Sequence, residues 1–345
     1  MANGLNFGGK RELLARGLIW SGTSFLLSHL PPSNSLLVLN YHRIGNSEND
    51  LFDPGVFSAT PDQFDDQIAY LKHHLSLVTL DEALAFIDGT DKEKSPRCRV
   101  LITFDDGYLD NYQIAFPILR SHGAQGVFFL ATSMVGSCAI PWWDQIAYLM
   151  KTARKRQFSL SYPADFAVNL ERNGLEKSLN TILKLYKRPD NLTPKRFLRE
   201  LAEACEGKDS PERLRRFLNW EEAREMIGGG MEIGSHAHSH QVLSQLEGEK
   251  QRQELDDSRR LIMNRLGVEV RVLAYPVGHK ISFTDQTRRI ARESGYKYAF
   301  SHYGGANIQG KISSYDVKRT KICLQSRQRF QTRSAVGRFT GLFWP

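Results

Sequence analysis

The sequence predicts an α/β protein built on a mostly parallel sheet or barrel. Along most of its 345 residues, short apolar runs alternate with segments of helical periodicity. Such alternation is typical of parallel strands joined by helices. Polar residues directly follow several of the predicted strands, and in such folds the loops after the strands carry the active site. A chain of this length can bury one large core.

The elements support this fold class in chain order. Strands are expected at residues 36–39, 77–80, 99–104, 126–130, 231–233, 270–274 and 298–301. Helical spacing is found at residues 64–71, 81–87 and 111–122. The clearest strand is Arg99–Phe104, because it is a continuous apolar and β-branched run. Residues 142–217 are helical, basic and uneven, which indicates an insertion between two stretches of strand and helix alternation.

Four polar groups follow predicted strands, so we expect them at one end of the sheet. They are Tyr41-His42, Asp105-Asp106, His236 with His240, and Tyr275-Pro276. Two adjacent carboxylates repel each other, and a cation or a proton offsets that cost. Neighbouring side chains of an extended chain point to opposite sides, so that one aspartate can face a metal and the other a substrate water. Asp-Asp-Gly also occurs in surface turns, but the apolar strand before it favours a functional site.

Histidines recur at alternate positions 236, 238 and 240, and imidazole is the commonest protein ligand of zinc. His236 and His240 with Asp106 would form a two-histidine, one-carboxylate site with a position open for water, as catalytic metal sites require. His238 is expected to point elsewhere. The same ligands also suit cobalt, nickel or manganese.

These residues resemble the motifs of one family. Thr103-Phe104-Asp105-Asp106-Gly107-Tyr108, followed by His236 and His240, is similar to the motifs of polysaccharide deacetylases, carbohydrate esterase family 4 (the NodB-homology domain). Ala274-Tyr275-Pro276-Val277-Gly278 resembles the family's proline-containing motif, and Asn40-Tyr41-His42-Arg43 resembles an early segment of the poly-N-acetylglucosamine deacetylase branch. The resemblance covers residues 36–135 and 218–325 and implies a deformed (β/α) barrel.

The resemblance also implies an activity and the residues that perform it. The expected reaction is metal-dependent removal of N-acetyl groups from an amino-sugar-containing polysaccharide or lipid-linked glycan, in exopolysaccharide, capsule or lipid-linked glycan biosynthesis. It implies Asp105 as the general base. It implies a divalent metal, usually zinc, held by Asp106, His236 and His240. We also expect substrate contacts from Tyr108, Tyr275 and Pro276.

Two departures from the family pattern leave alternatives open. The late histidine that typically serves as general acid is missing, and His42 is expected to replace it, with His302 as a second candidate. Many members carry an arginine beside the base where this chain has Ala274. Arg43 or Arg319 is expected to substitute from another loop.

The insertion carries nearly all of the formal charge of +8, since residues 151–216 contain 16 Lys and Arg against 9 Asp and Glu. No DNA- or RNA-binding signature accompanies this charge, so no nucleic-acid partner is expected. An anionic glycan or a membrane surface suits such a patch as well. Trp142 and Trp143 at its start are expected to stack on sugar rings, or alternatively to anchor the insertion in the core.

The two ends of the chain are predicted to lie outside the catalytic domain, which we place at residues 36–325. Residues 1–35 are expected to form an amphipathic helical segment, and residues 326–345 a tail rich in arginine and aromatic residues. Either segment could contact a membrane surface, although a packed terminus is an alternative for the tail. The four dispersed cysteines and the lack of a convincing secretion signal favour a cytoplasmic, possibly membrane-peripheral protein.

Three other functions were weighed against deacetylation of an amino sugar. The same chemistry would suit an O-acetyl esterase or a hydrolase of another amide. A catalytically silent glycan-binding protein of the same fold is a second alternative, although such a protein has no need of a base beside a metal. A nucleic-acid binder acting through the basic insertion is the third.

Overall fold

The structure, a computed structural model, describes residues 34–48, 50–91, 97–188, 193–208, 215–305, 307–324 and 329–330. The predicted N-terminal helical segment therefore lies outside the described residues except for residues 34 and 35, and so does most of the predicted tail. Of that tail, Phe330 is described, and its side chain is buried. No helix in the described ranges has the length and apolar character needed to cross a membrane.

The described residues contain fourteen strands and ten α-helices. The strands are β1 (Ser35–Tyr41), β2 (Arg43–Ile44), β3 (Phe57–Ala59), β4 (Ser76–Leu77), β5 (Arg99–Phe104), β6 (Gly126–Leu130), β7 (Gln157–Leu160), β8 (Phe166–Asn169), β9 (Glu232–Ser235), β10 (Val272–Ala274), β11 (Tyr298–Ser301), β12 (Asn307–Ile308), β13 (Val317–Lys318) and β14 (Thr320–Lys321). The helices are α1 (Pro61–His74), α2 (Leu80–Asp88), α3 (Phe116–Ser121), α4 (Trp142–Thr152), α5 (Leu170–Asn173), α6 (Leu175–Tyr186), α7 (Pro194–Cys205), α8 (Trp220–Gly228), α9 (Gly248–Leu266) and α10 (Asp285–Glu293).

The main sheet is a nearly closed barrel of parallel strands. Its order is β12-β1-β5-β6-β9-β10-β11-β13, with β4 beside β5 and β14 beside β1. The segment from β13 to β14 completes the barrel, because β13 pairs with β11 and β14 pairs with β1, both in parallel. A single residue, Arg319, separates these two short strands. The antiparallel β12 pairs with the first residues of β1, on the edge that does not face β5.

The predicted fold class is confirmed, and most predicted strands lie where expected. The apolar runs form strands because both faces of a parallel sheet are buried, and all residues of β1, β5 and β6 are buried. The prediction of a strand at residues 77–80 was wrong beyond Leu77. Thr79 instead caps α2 with a capping box to Glu82, so the helix begins at Leu80.

The segment at residues 142–217 contains helices α4 to α7, but also an antiparallel hairpin of β7 and β8 that we did not predict. The burial of β7 alternates between exposed and buried residues, as expected for a strand with one solvated face. The apolar side chains of the segment at residues 142–217 form a separate cluster, which also contains Tyr108 and Ala131 from loops of the barrel. This packing attaches the segment beside the carboxyl ends of the barrel strands.

Candidate active site

Asp106, His236 and His240 converge after β5 and β9, and all three side chains are buried. Oδ1 of Asp106 lies 3.2 Å from Nε2 of His240 and 3.5 Å from Nε2 of His236. One ligand atom from each residue lies within 4.8 Å of the others. Nδ1 of His236 lies 2.8 Å from the carbonyl oxygen of Ala274, which orients the ring and leaves Nε2 for a metal.

The backbone carries these ligands in unusual conformations. Asp106, Ala237 and His240 have φ values of 74°, 61° and 57°. Non-glycine residues rarely adopt this left-handed region, and such strain is concentrated at functional sites. Gly107 follows with a φ of 78°, and a Cβ there would lie 2.8 Å from a side-chain carbon of Leu130. The tight turn after β5 therefore both aims Asp106 and requires glycine at the next position.

The three residues fit a divalent metal by charge and by hydrogen bonding. Oδ1 of Asp106 and Nδ1 of His240 are buried without a hydrogen-bond partner among the described residues. Burial would raise the pKa of Asp106, but the neighbouring imidazoles of His240, His42 and His236 together outweigh burial and lower the pKa. Burial lowers the pKa of His236. An ionised carboxylate beside a neutral imidazole is the state in which these groups bind a metal.

Asp105 is held by a buried network on the other side of the same strand end. The guanidinium of Arg319 donates to both carboxylate oxygens, at 2.7 and 2.9 Å, and the amide of Asn40 donates to Oδ2 at 2.9 Å. Arg319 is fully buried. Burial would raise the pKa of Asp105, but Arg319 outweighs it and holds the pKa well below its usual range. The carboxylate is therefore ionised and fixed in orientation.

Arg319, rather than Arg43, therefore occupies the place of the arginine that the sequence lacks at position 274. Arg43 is engaged elsewhere, since it donates to Asp110 at 2.9 Å and to Asp50 at 3.1 Å. Its guanidinium also lies 4.2 Å from the ring centre of Phe57.

Both candidate general acids lie beside Asp105. Nε2 of His42 is 4.0 Å from Oδ2 of Asp105, and the ring centres of His42 and His302 are 5.6 Å apart. Asn111 donates to the carbonyl of His42 at 2.7 Å, and the N–H of His42 donates to Ser58 at 3.0 Å, which fixes its backbone. Burial lowers the pKa of His42 to about 4 and the pKa of His302 well below its ordinary value.

Comparison with known proteins identifies the family. A family model described as polysaccharide deacetylase matches residues 92–299, which is more than half of the chain. The chain belongs to the polysaccharide deacetylase family.

Among curated relatives, this deacetylase-family chain is 24% identical over 232 residues to YxkH of Bacillus subtilis, covering 67% of this chain and 54% of that protein. It is 36% identical over 114 residues to the poly-beta-1,6-N-acetyl-D-glucosamine N-deacetylase of Staphylococcus epidermidis, covering 30% of this chain and 38% of that protein. The chain therefore spans about half, or less, of the length of these relatives.

Solved structures of deacetylases share the fold. The deacetylase PplD of Streptococcus pyogenes, in complex with acetate, matches with a TM-score of 0.56 at 17% identity, covering 89% of this chain and 99% of that one. IcaB from Ammonifex degensii matches with a TM-score of 0.55 at 21% identity, covering 88% and 97%. These matches confirm the barrel expected from the motifs.

Two of the expected substrate contacts of this deacetylase-family protein are core residues instead. Tyr108 is fully buried, and its hydroxyl accepts a hydrogen bond from the indole N–H of Trp143 at 2.8 Å. Tyr275 is also fully buried, stacks on Phe283 and donates to the carbonyl of Tyr315 at 3.1 Å. Side chains without exposed surface cannot contact a sugar in this conformation. Pro276, next to Tyr275, is buried as well.

The paired tryptophans have different environments. Trp143 is buried, with its ring centre 4.5 Å from that of His240, so it packs against a proposed ligand. Trp142 is partly exposed and stacks on Tyr186 with ring centres 4.2 Å apart. Trp142 therefore remains the predicted residue that can offer a face to a sugar. His238 points away from the metal ligands, as predicted, with Nδ1 2.9 Å from the hydroxyl of Thr132.

Two site features were absent from the sequence argument. The sequence predicted no role for Asn40, yet its amide links Asp105 to Arg319. It donates to Asp105, and its Oδ1 accepts from Nη1 of Arg319 at 2.9 Å. Glu254 accepts the N–H groups of His238 and Ser239, at 3.0 and 2.7 Å, and so supports the histidine loop. The position of Asn40 at the end of a buried strand was the available signal for the first.

Proposed function

We propose that the protein is a metal-dependent hydrolase that removes N-acetyl groups from an amino-sugar-containing polysaccharide or lipid-linked glycan. The observation that carries this proposal is that the two adjacent aspartates after β5 have different environments, one suited to a metal ligand and the other to a base. Asp106 belongs to a buried two-histidine, one-carboxylate set, while Asp105 is held ionised by Arg319. The name of the staphylococcal relative supports an N-acetylglucosamine-containing glycan as the type of substrate.

Asp106, His236 and His240 would hold the divalent metal, which we take to be zinc. A metal in such a site lowers the pKa of a water molecule and polarises the carbonyl of the acetamide. Trp143 packs on His240 and helps to exclude bulk water from this side of the site.

Asp105 is positioned to take the proton of the attacking water. Because Arg319 and Asn40 fix both of its oxygens, the carboxylate cannot rotate away from the site, and its charge is compensated before substrate binds. Such preorganisation lowers the cost of reaching the transition state.

His42 is positioned to protonate the leaving amine. It lies 4.0 Å from Asp105, so the proton taken from water can pass to the imidazole through a small movement and from there to the amine nitrogen. Transfer of that proton matters because an unprotonated amine anion is a poor leaving group. His302 is the second candidate for the same step.

Acetate release from N-acetylglucosamine oligomers tests the proposal, with protein stripped by chelator and with zinc restored. We expect acetate release only when zinc has been restored. Release should be lost in Asp105→Asn, which should still bind one equivalent of zinc. His240→Ala should lose both zinc and activity. Asp165→Asn, an exposed aspartate of the insertion, is the matched control.

Two outcomes would replace the proposal. Release from acetylated xylan but not from N-acetylglucosamine oligomers would make the protein an O-acetyl esterase. Binding of acetylated glycans without turnover by any zinc-loaded protein would make it a glycan-binding member of the family.

A further inference from the structure

A lysine lies next to Trp142, which flanks the candidate metal site. Lys187 caps the C-terminus of α6, and its ammonium lies 5.6 Å from the ring centre of Trp142. That ring centre is itself 6.5 Å from the ring centre of His240. No carboxylate forms an ion pair with Lys187 among the residues that the structure describes.

A second lysine lies beside the carboxyl end of β1. Lys321 lies on β14, in register with Asn40 of β1, whose amide donates to the proposed base. Its side chain is exposed and donates to the carbonyl of Gly55 at 2.7 Å. We call Lys187 and Lys321 together the cationic rim.

The two lysines are close enough to influence the same groups. Burial lowers the pKa of His279 the most, and repulsion from Lys187 and then from Lys321 lowers it further. The ring of His279 is parallel to that of His302, with centres 6.4 Å apart. Burial, followed by repulsion from Lys321, also lowers the pKa of Lys187 itself. Both lysines of the cationic rim therefore lie near His279, whose ring is parallel to that of His302 beside the proposed base.

The acidic groups that attract Lys187 also have other contacts. Lys187 is attracted by Asp53 and Asp106. Asp53 accepts the N–H of Gly55 at 2.8 Å, and Asp106 belongs to the proposed metal set. A bound metal would remove the attraction of Asp106, because its cationic charge would oppose that of the ammonium. Converging cations of this kind favour an anion between them.

We propose that the cationic rim binds an anionic group of the substrate, a carboxylate or a phosphate carried by the acetylated sugar or by the sugar next to it. This inference rests on the proposed function and narrows its substrate class, because a poly-N-acetylglucosamine chain is neutral and offers the rim nothing to bind. The rim equally repels a neighbouring sugar that already carries a free ammonium group. Acetylated sugars beside deacetylated ones are therefore poor substrates.

The test compares acetate release from matched neutral and charged probes by the zinc-loaded full chain. The carboxylate probe is a heparosan tetrasaccharide, in which N-acetylglucosamine alternates with glucuronate, and its neutral counterpart is the N-acetylglucosamine tetramer. The phosphate probe is N-acetylglucosamine 1-phosphate, compared with its methyl glycoside. We expect a higher kcat/KM for at least one charged probe, and a preference that weakens as salt is raised.

Substitution of the rim separates charge from linkage and chain length. In Lys187→Gln/Lys321→Gln, the ratio of kcat/KM for charged over neutral probe should fall about tenfold. Lys184→Gln, an exposed lysine one turn earlier on α6, should leave that ratio unchanged. Far-ultraviolet circular dichroism and the Tm establish that the double variant is folded.

Three results would overturn the inference. In the first, the neutral tetramer is turned over at least as well as every charged probe, and the double variant keeps the same ratio, while the proposed function stands. In the second, no probe releases acetate and the proposed function fails. In that case, calorimetry measures the binding of the heparosan and N-acetylglucosamine tetrasaccharides to zinc-loaded Asp105→Asn. Equal affinities for the two would contradict an anion-binding rim. In the third, Lys184→Gln changes the ratio as much as the double variant.

Discussion

The carboxylate of Asp105 is held on both oxygens by one guanidinium, so Arg319 is the residue whose loss we expect to separate activity from metal binding. In Arg319→Met, Asp105 is left buried without a cation and its pKa rises. We predict that kcat/KM falls at least a hundredfold near neutral pH and that the acidic limb of its pH profile moves to higher pH. Zinc affinity should change little, because Arg319 contacts none of the proposed ligands in the described residues.

Arg319→Lys is the control that keeps the positive charge but removes the bidentate guanidinium. A lysine restores one cation but cannot donate to both oxygens of Asp105, so activity intermediate between wild type and Arg319→Met is expected. Removing one partner of a buried pair costs about 3–5 kcal/mol, which should also lower the Tm of Arg319→Met. An unchanged pH profile in Arg319→Met would remove Arg319 from the account of the base.

Asp144 of the insertion is another buried carboxylate, and it makes stability depend on pH. It is fully buried and accepts the N–H of Asp53 at 3.1 Å, while Arg216 lies 4.0 Å away. Burial raises the pKa of Asp144 from 3.8 to about 7. The protonated form is therefore favoured by folding. Its contribution is fully present below the unfolded pKa, near 4, and is lost as the pH rises through about 7.

Asp144→Asn keeps the shape and the acceptor but cannot ionise, so it should be more stable than wild type at pH 8 and not at pH 4. We expect a gain on the order of 1–3 kcal/mol at pH 8 from chemical denaturation, since one pKa unit is worth about 1.4 kcal/mol. Asp165→Asn, an exposed position, should show no such pH-dependent difference. Parallel stability curves for Asp144→Asn and wild type across this range would contradict the assignment.

At the scale of elements, the turn after β5 determines where the metal ligand points. Gly107→Ala adds a Cβ that meets buried Leu130 at 2.8 Å and places a side chain at a φ of 78°. We predict a loss of about 2–4 kcal/mol in the free energy of unfolding and weaker zinc binding, because Asp106 shares the turn.

Gly123→Ala separates strain from crowding in that prediction. Gly123 has a φ of 64° but nothing within 4 Å of its added Cβ, so only the backbone cost of about 1–2 kcal/mol applies. Zinc affinity should be unchanged there. Equal effects of the two substitutions on zinc affinity, measured by competition with a chelating dye, would refute the role of the turn.

The strands and the site clusters could be predicted because their signals are local. After Arg99, this strand to Phe104 is apolar or β-branched throughout, and the aspartates follow it directly, so strand and site were visible in eight consecutive residues. The hairpin was missed although Gln157–Leu160 alternates in burial, because four residues of alternation are easily lost in a segment of otherwise helical spacing.

Contacts between distant residues were beyond the sequence. Arg319 and Asp105 are separated by 214 positions, and only the barrel closure distinguishes Arg319 from Arg43. Tyr275 was misassigned for the same reason. Its motif correctly located a strand end, but the direction of its side chain depends on Phe283 and Tyr315, which pack from later elements.

At the scale of the whole molecule, metal binding should stabilise the entire barrel, since the ligands come from loops after two of its strands. A ligand that binds the native state alone contributes about 2.7 kcal/mol at a hundredfold excess over its Kd. We predict that zinc raises the Tm of the stripped protein by about 5 °C. His240→Ala should show no rise, measured by differential scanning calorimetry. A rise of the same size in His240→Ala would place the zinc elsewhere.

The closure of the barrel by β13 and β14 also sets an order of events during synthesis. On the ribosome, the loops bearing Asp106, His236 and His240 emerge before the closing segment, so a nascent chain possesses every proposed metal ligand before it possesses Arg319. Without that guanidinium, the buried Asp105 has no compensating charge. If Asp105 is the base and Asp106, His236 and His240 bind zinc, a chain that still lacks β13 and β14 has the metal ligands without the cation that holds the base. Hydrolysis then has to wait until this closing segment docks.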